Sequence, residues 1–216
     1  MVTIERIRAL IHVLDPRTDQ CPVIVRRSSW ANVETNSSIA SRLNSSLYGV
    51  DPMVLIDRER VFRARNSERF LQLVLLWGFP TGMHGIGASA FANWNQLLTL
   101  YQYLREHNHL TNTQYLENVI PMFNQIHGVS LAFFSKLLYF MNVTISGAPA
   151  VINDTFVREG IGKVLGPEII HLNNVAKYKY RLYPDFLCEM QNLANQLGST
   201  PERLEYVFWL IGKKEI

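Results

Sequence analysis

The sequence predicts an all-α protein built from two helical lobes. Apolar residues recur at helical spacing along nearly the whole chain, and Ile4, Ile7 and Ile11 begin the first such stripe. Residues 22–25 form the only segment with the pattern of a strand, and the sequence has no repeat or low-complexity tract. A glycine-rich loop at residues 78–87 interrupts the helices, and we expect it near the junction of the two lobes.

The N-terminal segment, about residues 1–66, is predicted to be partly helical. A first helix covers residues 4–14. A polar stretch rich in Ser and Asn follows, with a short helix at residues 37–47. Another helix is expected to begin at Asp51-Pro52, because aspartate caps a helix N-terminus and proline suits the first helical position.

The helical core, about residues 67–216, belongs to the same single domain. It begins with an apolar and therefore central helix at residues 67–77, capped by Ser67. Further segments with a helical period follow, separated by polar or glycine-containing turns. We expect these helices at residues 88–107, 113–125, 131–142, 153–158, 173–181, 184–196 and 201–211, with a loop at residues 144–149.

Composition excludes several classes of protein. Of the 216 residues, 48% are apolar and 18% are charged, and the net charge is only +3, so intrinsic disorder is excluded. No apolar run approaches the roughly 18 residues that a membrane-spanning helix needs, and the first residues lack the pattern of a secretory signal. Cys21 and Cys188 provide neither a disulfide framework nor the spacing of metal ligands. We therefore expect a cytoplasmic protein with no membrane partner.

Motifs for metals and cofactors are absent from the sequence. His107 and His109 lie in a polar turn without a cysteine partner or an HExxH helix, so no metal site is expected. The glycines of residues 78–87 follow no strand and match no phosphate-binding template, so no cofactor is expected either. The small basic excess is compatible with an enzyme that has one local positive face. The candidates for that face are Arg26, Arg27, Arg58, Arg60, Arg63, Arg65, Arg69, Lys177, Lys179 and Arg181.

The most informative segment is a predicted helical hairpin at about residues 117–142. Its first helix ends at a tight turn on Gly128, and a very apolar helix follows. Backbone amides at such a turn and at the start of the second helix point outwards and can bind a phosphate. Ser130 is placed to cap the second helix. The predicted phosphate site consists of His127, Gly128, Val129 and Ser130.

Asp154 follows the hairpin at the predicted start of another short helix. A carboxylate there is oriented by backbone amides and interacts favourably with the positive end of the helix. A fixed carboxylate near a bound phosphate suits the cleavage of an N-glycosidic bond. It stabilises the positive charge that develops on the sugar, and it orients the attacking water. The alternative is that Asp154 is only a structural cap.

Together these segments resemble the helix-hairpin-helix DNA glycosylase superfamily, and more narrowly bacterial proteins with an 8-oxoguanine-glycosylase-like fold. The resemblance spans roughly residues 70–215. It implies a two-lobed helical bundle of the glycosylase type that binds double-stranded DNA, flips a modified base out of the stack and excises it. Besides the hairpin, the segments that carry it are Ser-Lys-Leu-Leu-Tyr-Phe-Met at 135–141, Val-Ile-Asn-Asp-Thr-Phe-Val at 151–157, Trp-Gly-Phe-Pro-Thr-Gly at 77–82 and the tail at 193–213.

The resemblance also implies roles for single residues. Asp154 corresponds to the catalytic aspartate of the family. The family hairpin has two glycines around an apolar residue, whereas this chain keeps only Gly128, so the DNA-binding turn is an imperfect match. Lysine-dependent relatives place a Schiff-base lysine just inside the second hairpin helix, where this chain has Ala132. Lys136 lies one turn further along, and the alternative for it is a basic side chain that only lies beside the DNA backbone or a carboxylate. We therefore expect a monofunctional hydrolase in which water attacks the sugar, with Lys136 as a second catalytic candidate.

A flipped base needs flat apolar walls, for which Trp77, Phe79 and Trp94 are candidates. The alternative for each aromatic residue is a place in the core.

The sequence leaves the substrate and the biological role open. The resemblance admits an oxidised purine, an alkylated base or a bulky modified cytosine in phage DNA, so both DNA repair and antiviral defence are compatible with it. A non-catalytic DNA-binding module and a helical interaction protein without a nucleic-acid role are the alternatives from other classes. We expect a monomer in each case.

Overall fold

The computed structural model describes residues 4–67, 69–81, 86–165 and 180–216, with the backbone alone at residues 86–88. The described chain is mostly helical and carries two small sheets, which confirms the predicted all-α class. The α-helices are α1 (Ile4–Val13), α2 (Ala31–Asn36), α3 (Ser38–Tyr48), α4 (Arg58–Arg63), α5 (Phe70–Gly78), α6 (Ile86–Ala92), α7 (Trp94–Glu106), α8 (Asn112–Gln114), α9 (Ile120–Asn124), α10 (Leu131–Phe140), α11 (Thr155–Leu165), α12 (Tyr183–Gln196) and α13 (Pro201–Lys213). A π-helical turn at Tyr115–Val119 joins α8 to α9, and 3₁₀ turns occur at Arg27–Trp30 and Tyr180–Leu182.

The first sheet pairs β1 (Val23–Arg26) with β2 (Met53–Ile56) in antiparallel register. The strand predicted at residues 22–25 is therefore confirmed with a shift of one residue. The helix predicted to begin at Asp51-Pro52 is wrong, because Met-Val-Leu-Ile is an apolar, partly β-branched run that suits an extended chain beside β1. The helix starts later, where Asp57 caps α4 by accepting a hydrogen bond from the amide of Arg60.

The second sheet replaces the loop that was predicted between α10 and α11. It consists of β3 (His109–Leu110), which is parallel to β4 (Thr144–Ile145), and β5 (Ala148–Pro149), which is antiparallel to β4. Ser146 and Gly147 have φ values of 50° and 85°, so a left-handed pair closes a two-residue hairpin turn. This hairpin carries the chain from the end of α10 to the segment that precedes α11.

The helices that precede the helical hairpin differ from the prediction at two boundaries. α5 begins at Phe70, and Ser67 does not cap it, because the Ser67 hydroxyl instead donates to the carbonyl oxygen of Ala64. The helix predicted at residues 88–107 is in fact the two helices α6 and α7, which are divided at Asn93.

The C-terminal helices agree more closely with the prediction. The helices predicted at residues 184–196 and 201–211 are confirmed as α12 and α13, to within two residues at each end. The short helix predicted at residues 153–158 is longer than expected and continues to Leu165. The helix predicted at residues 173–181 lies almost entirely outside the described residues.

α5 and α10 form the centre of the described core. Every residue from Phe70 to Trp77 is buried, and α10 is buried throughout except at Ala132. A helix that is apolar on all sides can only lie inside a protein of this size.

α11 and α13 cross so closely that each needs a glycine at the contact. A side chain on Gly160 would overlap the backbone carbonyl of Phe208, and a side chain on Gly212 would overlap the backbone carbonyl of Phe156. The two helices therefore touch backbone to backbone. This crossing brings Phe156 and Trp209 within one aromatic edge contact, at 6.5 Å between ring centres.

The structure removes one residue from the predicted basic face and does not describe two others. Arg58 is buried, with only 1% of its side chain exposed, and so does not belong to a surface. Lys177 and Lys179 lie outside the described residues. Among the helices that the structure describes, none is both long and apolar enough to span a membrane.

Candidate functional site

The charged ends of Lys136 and Asp154 meet, with Nζ of the lysine 3.3 Å from Oδ2 of the aspartate. Lys136 lies on α10 and Asp154 immediately precedes α11, so the pair links the hairpin to the next helix. Their side chains are only 5% and 16% exposed, and both charges are therefore largely withdrawn from water. A desolvated pair interacts more strongly than a surface pair and needs accurate placement. The structure thus brings the two catalytic candidates together.

Backbone contacts fix the position of Asp154. Its Oδ1 accepts a hydrogen bond from the amide of Val157 at 3.1 Å and so caps α11. The amide of the preceding residue, Asn153, donates to the hydroxyl oxygen of Ser135 at 2.9 Å. Asp154 is therefore both a helix cap and a partner of Lys136, because each role uses a different carboxylate oxygen.

On its way to Asp154, the side chain of Lys136 passes close to the end of α5. A side chain on Gly78, the last residue of α5, would lie 2.9 Å from Cδ of Lys136, so the glycine makes room for the aliphatic stem. Nζ also lies 5.5 Å from the centre of the Phe79 ring, within range of a cation–π interaction.

A cavity of about 210 Å³ opens beside this ion pair. Its aromatic walls are Trp77 at the end of α5, Phe156 at the start of α11 and Trp209 in α13. Gln20 and Lys213 add polar groups to the lining. Flat apolar walls with a few placed polar groups are typical of sites for planar organic ligands.

Behind the cavity wall lies a buried network centred on Arg58. Its guanidinium donates to Oε2 of Glu205 at 3.1 Å and to the hydroxyl of Tyr139 at 2.9 Å. Its Nε donates to Oε1 of Gln20, and its central carbon lies 5.4 Å from the ring centre of Trp77. The network thereby contacts two residues that line the cavity.

Burial affects the pKa values of both charged groups of this network, Arg58 and Glu205. Burial alone would lower the pKa of Arg58, but Glu205 and Tyr139 raise it above its ordinary value, so the guanidinium stays charged. Burial raises the pKa of Glu205 to about 7, although Arg58 opposes the shift.

The predicted DNA-binding turn is divided between surface and core. His127 and Gly128 are exposed, whereas the side chain of Val129 is buried. Gly128 has φ of 77°, and a side chain there would come within 2.5 Å of Oγ of Ser89. The fold alone therefore requires glycine at this position, whether or not the turn binds DNA. Ser130 occupies the cap position of α10, but its side chain makes no capping hydrogen bond, and the predicted cap is therefore wrong.

The three aromatic residues predicted for the pocket occupy different places. Trp77 lines the cavity, and Phe79 packs beside Lys136 instead. Trp94 is only 3% exposed and stacks on Phe91 with 5.0 Å between ring centres. The structure does not bring Trp94 to this cavity, because that face of α7 is turned into the core.

Sequence reasoning missed several residues around the cavity. Glu205 and Trp209 are one helical turn apart, so they share a face of α13. A carboxylate on such an apolar face is a sequence signal that could have identified this part of the site. Gln20 carries no signal, because it lies in an irregular segment. The missed residues are Gln20, Ser135, Phe156, Glu205, Trp209 and Lys213, whereas Arg58 was assigned to the basic surface face.

The structure shows no metal-binding cluster of three or more His, Cys, Asp or Glu residues within the ranges that it describes. His107 stacks on Tyr103, and His109 contacts the hydroxyl of Thr144 at 2.9 Å. These histidines therefore have structural neighbours of their own.

Comparison with known proteins gives one match. The profile of the family described as "Putative 8-oxoguanine DNA glycosylase OGG-like protein" matches residues 16–209. No curated protein and no solved structure matches the chain. The matched range contains the hairpin, Lys136, Asp154 and most of the cavity lining.

Proposed function

Because this chain belongs to the 8-oxoguanine DNA glycosylase OGG-like family, we propose that it flips a modified base out of double-stranded DNA and cleaves the N-glycosidic bond. The family supports a glycosylase that acts on DNA. The observation that carries the finer proposal is the ion pair of Lys136 and Asp154 at the edge of an aromatic cavity.

The cavity is proposed to receive the flipped base. Trp77, Phe156 and Trp209 offer flat faces and edges to a planar ring. Its volume of about 210 Å³ is below the roughly 300–1,000 Å³ of drug-sized ligand sites. A single base therefore fits inside better than a whole nucleotide, which leaves the sugar at the mouth, beside Asp154.

Asp154 is proposed to stabilise the sugar as the bond breaks. The C1′–N bond lengthens, the base withdraws the bonding electrons, and positive charge develops on the sugar ring. A carboxylate held by the amide of Val157 is already in place when that charge forms. Electrostatic interactions of this kind typically contribute about 2–4 kcal/mol to catalysis.

In the first route, water completes the reaction. Water attacks C1′ on the face opposite the departing base, Asp154 accepts its proton, and the base that left with the C1′–N electrons takes a proton from solvent. Lys136 then serves to orient the carboxylate through the ion pair. The protein is a monofunctional glycosylase in this route, and an abasic site is its product.

The ion-pair geometry also supports a second route, in which Lys136 is the nucleophile. The carboxylate of Asp154 is 3.3 Å from Nζ and is placed to accept the proton that the ammonium must lose before it attacks C1′. The base leaves with the electrons of the C1′–N bond and takes the proton held by Asp154. A proton then passes from the attached amine to O4′ as the C1′–O4′ bond opens, which gives a Schiff base between the lysine and the opened sugar. Borohydride traps this intermediate as a stable covalent complex, whereas the first route gives none.

The proposal is tested by incubation with a panel of duplexes followed by mass analysis of the released bases. The panel contains oxidised purines, alkylated bases and phage genomes with substituted cytosines, each beside its unmodified parent. We expect release of one class of base with an abasic site left behind. Binding without release from any duplex would instead favour the non-catalytic DNA-binding module, and no binding would favour a helical interaction protein.

The exposed turn at His127 and Gly128 is proposed to hold the phosphate backbone of the same duplex through its amides. One chain supplies the hairpin, the ion pair and the cavity, so we propose a monomer that acts on cytoplasmic DNA. The panel also assigns the role, because release from phage genomes alone indicates antiviral defence and release of oxidised purines indicates repair.

A further inference from the structure

We propose that Arg58 is a positioning residue that turns the amide NH₂ group of Gln20 towards the cavity as a fixed hydrogen-bond donor for the base. This inference rests on the proposed function and adds an element of substrate selection to it. The Gln20 donor would select a substrate base that presents a carbonyl oxygen or an unprotonated ring nitrogen to it.

The orientation of Gln20 follows from the chemistry of arginine. A guanidinium has only donors, so the atom of Gln20 that faces Nε of Arg58 must be the carbonyl oxygen. The NH₂ group is then directed away from Arg58. Gln20 lines the cavity, and none of the described residues accepts a hydrogen bond from its NH₂ group.

Arg58 itself is held on every side. Both carboxylate oxygens of Glu205 accept from its two terminal nitrogens, at 3.1 and 3.4 Å, in a bidentate arrangement. Tyr139 accepts a further hydrogen bond, and the rings of Trp77 and Tyr206 lie 5.4 and 5.7 Å from the guanidinium carbon. The side chain therefore has one orientation, which it passes on to Gln20.

The burial of this arginine needs a reason other than stability. Withdrawing an ion pair from water costs about as much as the pair regains, and apolar residues of similar size often replace such pairs without loss. Arg58 contacts residues on the N-terminal segment, α5, α10 and α13, and each of these four contributes to the cavity wall. Positioning of the wall is a role that an apolar side chain could not perform.

Gln20→Glu gives the sharpest test, because it keeps the shape and the contact with Arg58 while it replaces the donor by an acceptor. If Arg58 orients Gln20 as proposed, Gln20→Glu lowers the single-turnover rate of base release at least tenfold and leaves duplex affinity within about twofold. Equal excision by Gln20→Glu and the parent overturns the proposal, because the cavity would then face the carbonyl oxygen.

Arg58→Lys tests the positioning step itself. Lysine keeps the charge beside Glu205 but lacks the planar fork that fixes Gln20. We expect the same loss of rate as in Gln20→Glu, a smaller preference for the modified base over its parent, and no additional loss when Arg58→Lys is combined with Gln20→Met. Arg8→Lys, at an exposed position on α1 that is not among the basic-face candidates, is the matched control. Independent, multiplying effects of Arg58→Lys and Gln20→Met overturn the proposal.

The two proposals fail in different ways. If the parent protein releases no base from any duplex, the glycosylase function fails. If the parent releases a base and Gln20→Glu does so equally well, only the role of Arg58 fails. Should Arg58→Lys not fold, Gln20→Glu still decides, because both Arg58 and Glu205 are retained and Gln20 itself is only partly buried.

Discussion

The backbone amide of Asn153 donates a hydrogen bond to the hydroxyl oxygen of Ser135 at 2.9 Å, and both residues are fully buried. Ser135 immediately precedes Lys136, and Asn153 immediately precedes Asp154. One hydrogen bond from a backbone amide to a side-chain hydroxyl therefore ties the neighbours of the two charged residues to each other. The 3.3 Å distance between their charged atoms is thus set by the chain itself as well as by the flexible lysine side chain.

Ser135→Ala is expected to loosen this connection. It leaves the amide of Asn153 buried without a partner, which typically costs about 1–3 kcal/mol of stability. The carboxylate of Asp154 also loses its fixed placement, so base release should slow by more than the stability loss explains. Urea unfolding and single-turnover excision measure the two effects. Ser38→Ala, at an exposed position on α3, is the control, and a Ser135→Ala protein indistinguishable from it would refute the expectation.

Gly160→Ala is expected to destabilise the crossing of α11 and α13. The added methyl group overlaps the carbonyl of Phe208, and overpacking of this kind costs about 1–3 kcal/mol or more. The wall formed by Phe156 and Trp209 should be displaced at the same time. The free energy of unfolding and the near-ultraviolet circular dichroism report these changes. Glu159→Ala, which changes the exposed neighbour on α11, should have little effect, and equal stability of the two variants would be inconsistent with the crossing.

The sequence was sufficient for the elements whose signal is local. α10 and α13 have strong apolar periods, and Asp154 stands at a recognisable helix start, so all three could be predicted. The strand β2 was not predicted, because Asp51-Pro52 has the pattern of a helix start, although the partly β-branched residues that follow suit a strand paired with β1.

The composition of the cavity was harder to predict than the helices. Trp94 and Trp209 both lie on helices with apolar faces, and only the packing decides which of them reaches the cavity. Arg58 is separated from Glu205 by 147 residues, so its burial is a property of the tertiary structure alone. Lys136 was placed one turn beyond the expected lysine, yet it reaches Asp154 because Gly78 leaves room for its stem.

Glu205 is expected to make stability depend on pH. The folded protein holds this proton up to a pKa of about 7, whereas the ordinary value of 4.5 applies to the unfolded chain. The stabilisation that the folded state gains from the proton on Glu205 is therefore complete below about pH 4.5 and is lost as the pH rises through about 7. Urea unfolding between pH 4.5 and 8 should give a falling free energy of unfolding, and Glu205→Gln should flatten the curve in that window. A parent protein whose stability rises over this range would argue against the shift.

His127→Glu is expected to weaken DNA binding without regard to the base. The residue is exposed at the turn, so the substitution adds a negative charge beside the proposed phosphate contact and leaves the left-handed Gly128 unchanged. Affinity for modified and unmodified duplexes should fall by the same factor, and the salt dependence of binding should become shallower. Gln102→Glu adds the same charge on the exposed face of α7. Equal affinity of these two variants would exclude the turn from the DNA interface.

The catalytic role of Asp154 is tested by the single-turnover rate of base release by Asp154→Asn, measured on the duplex that the parent protein cleaves best. The asparagine keeps the shape of the side chain and can still cap α11, but it removes the charge beside the sugar. Asp185→Asn, at an exposed position in the first turn of α12, controls for the loss of a charge near a helix start. If the charge of Asp154 stabilises the sugar cation, the rate falls by about 10²- to 10³-fold, duplex affinity is preserved, and the control is unchanged. Excision by Asp154→Asn at the parent rate would exclude this role of the charge.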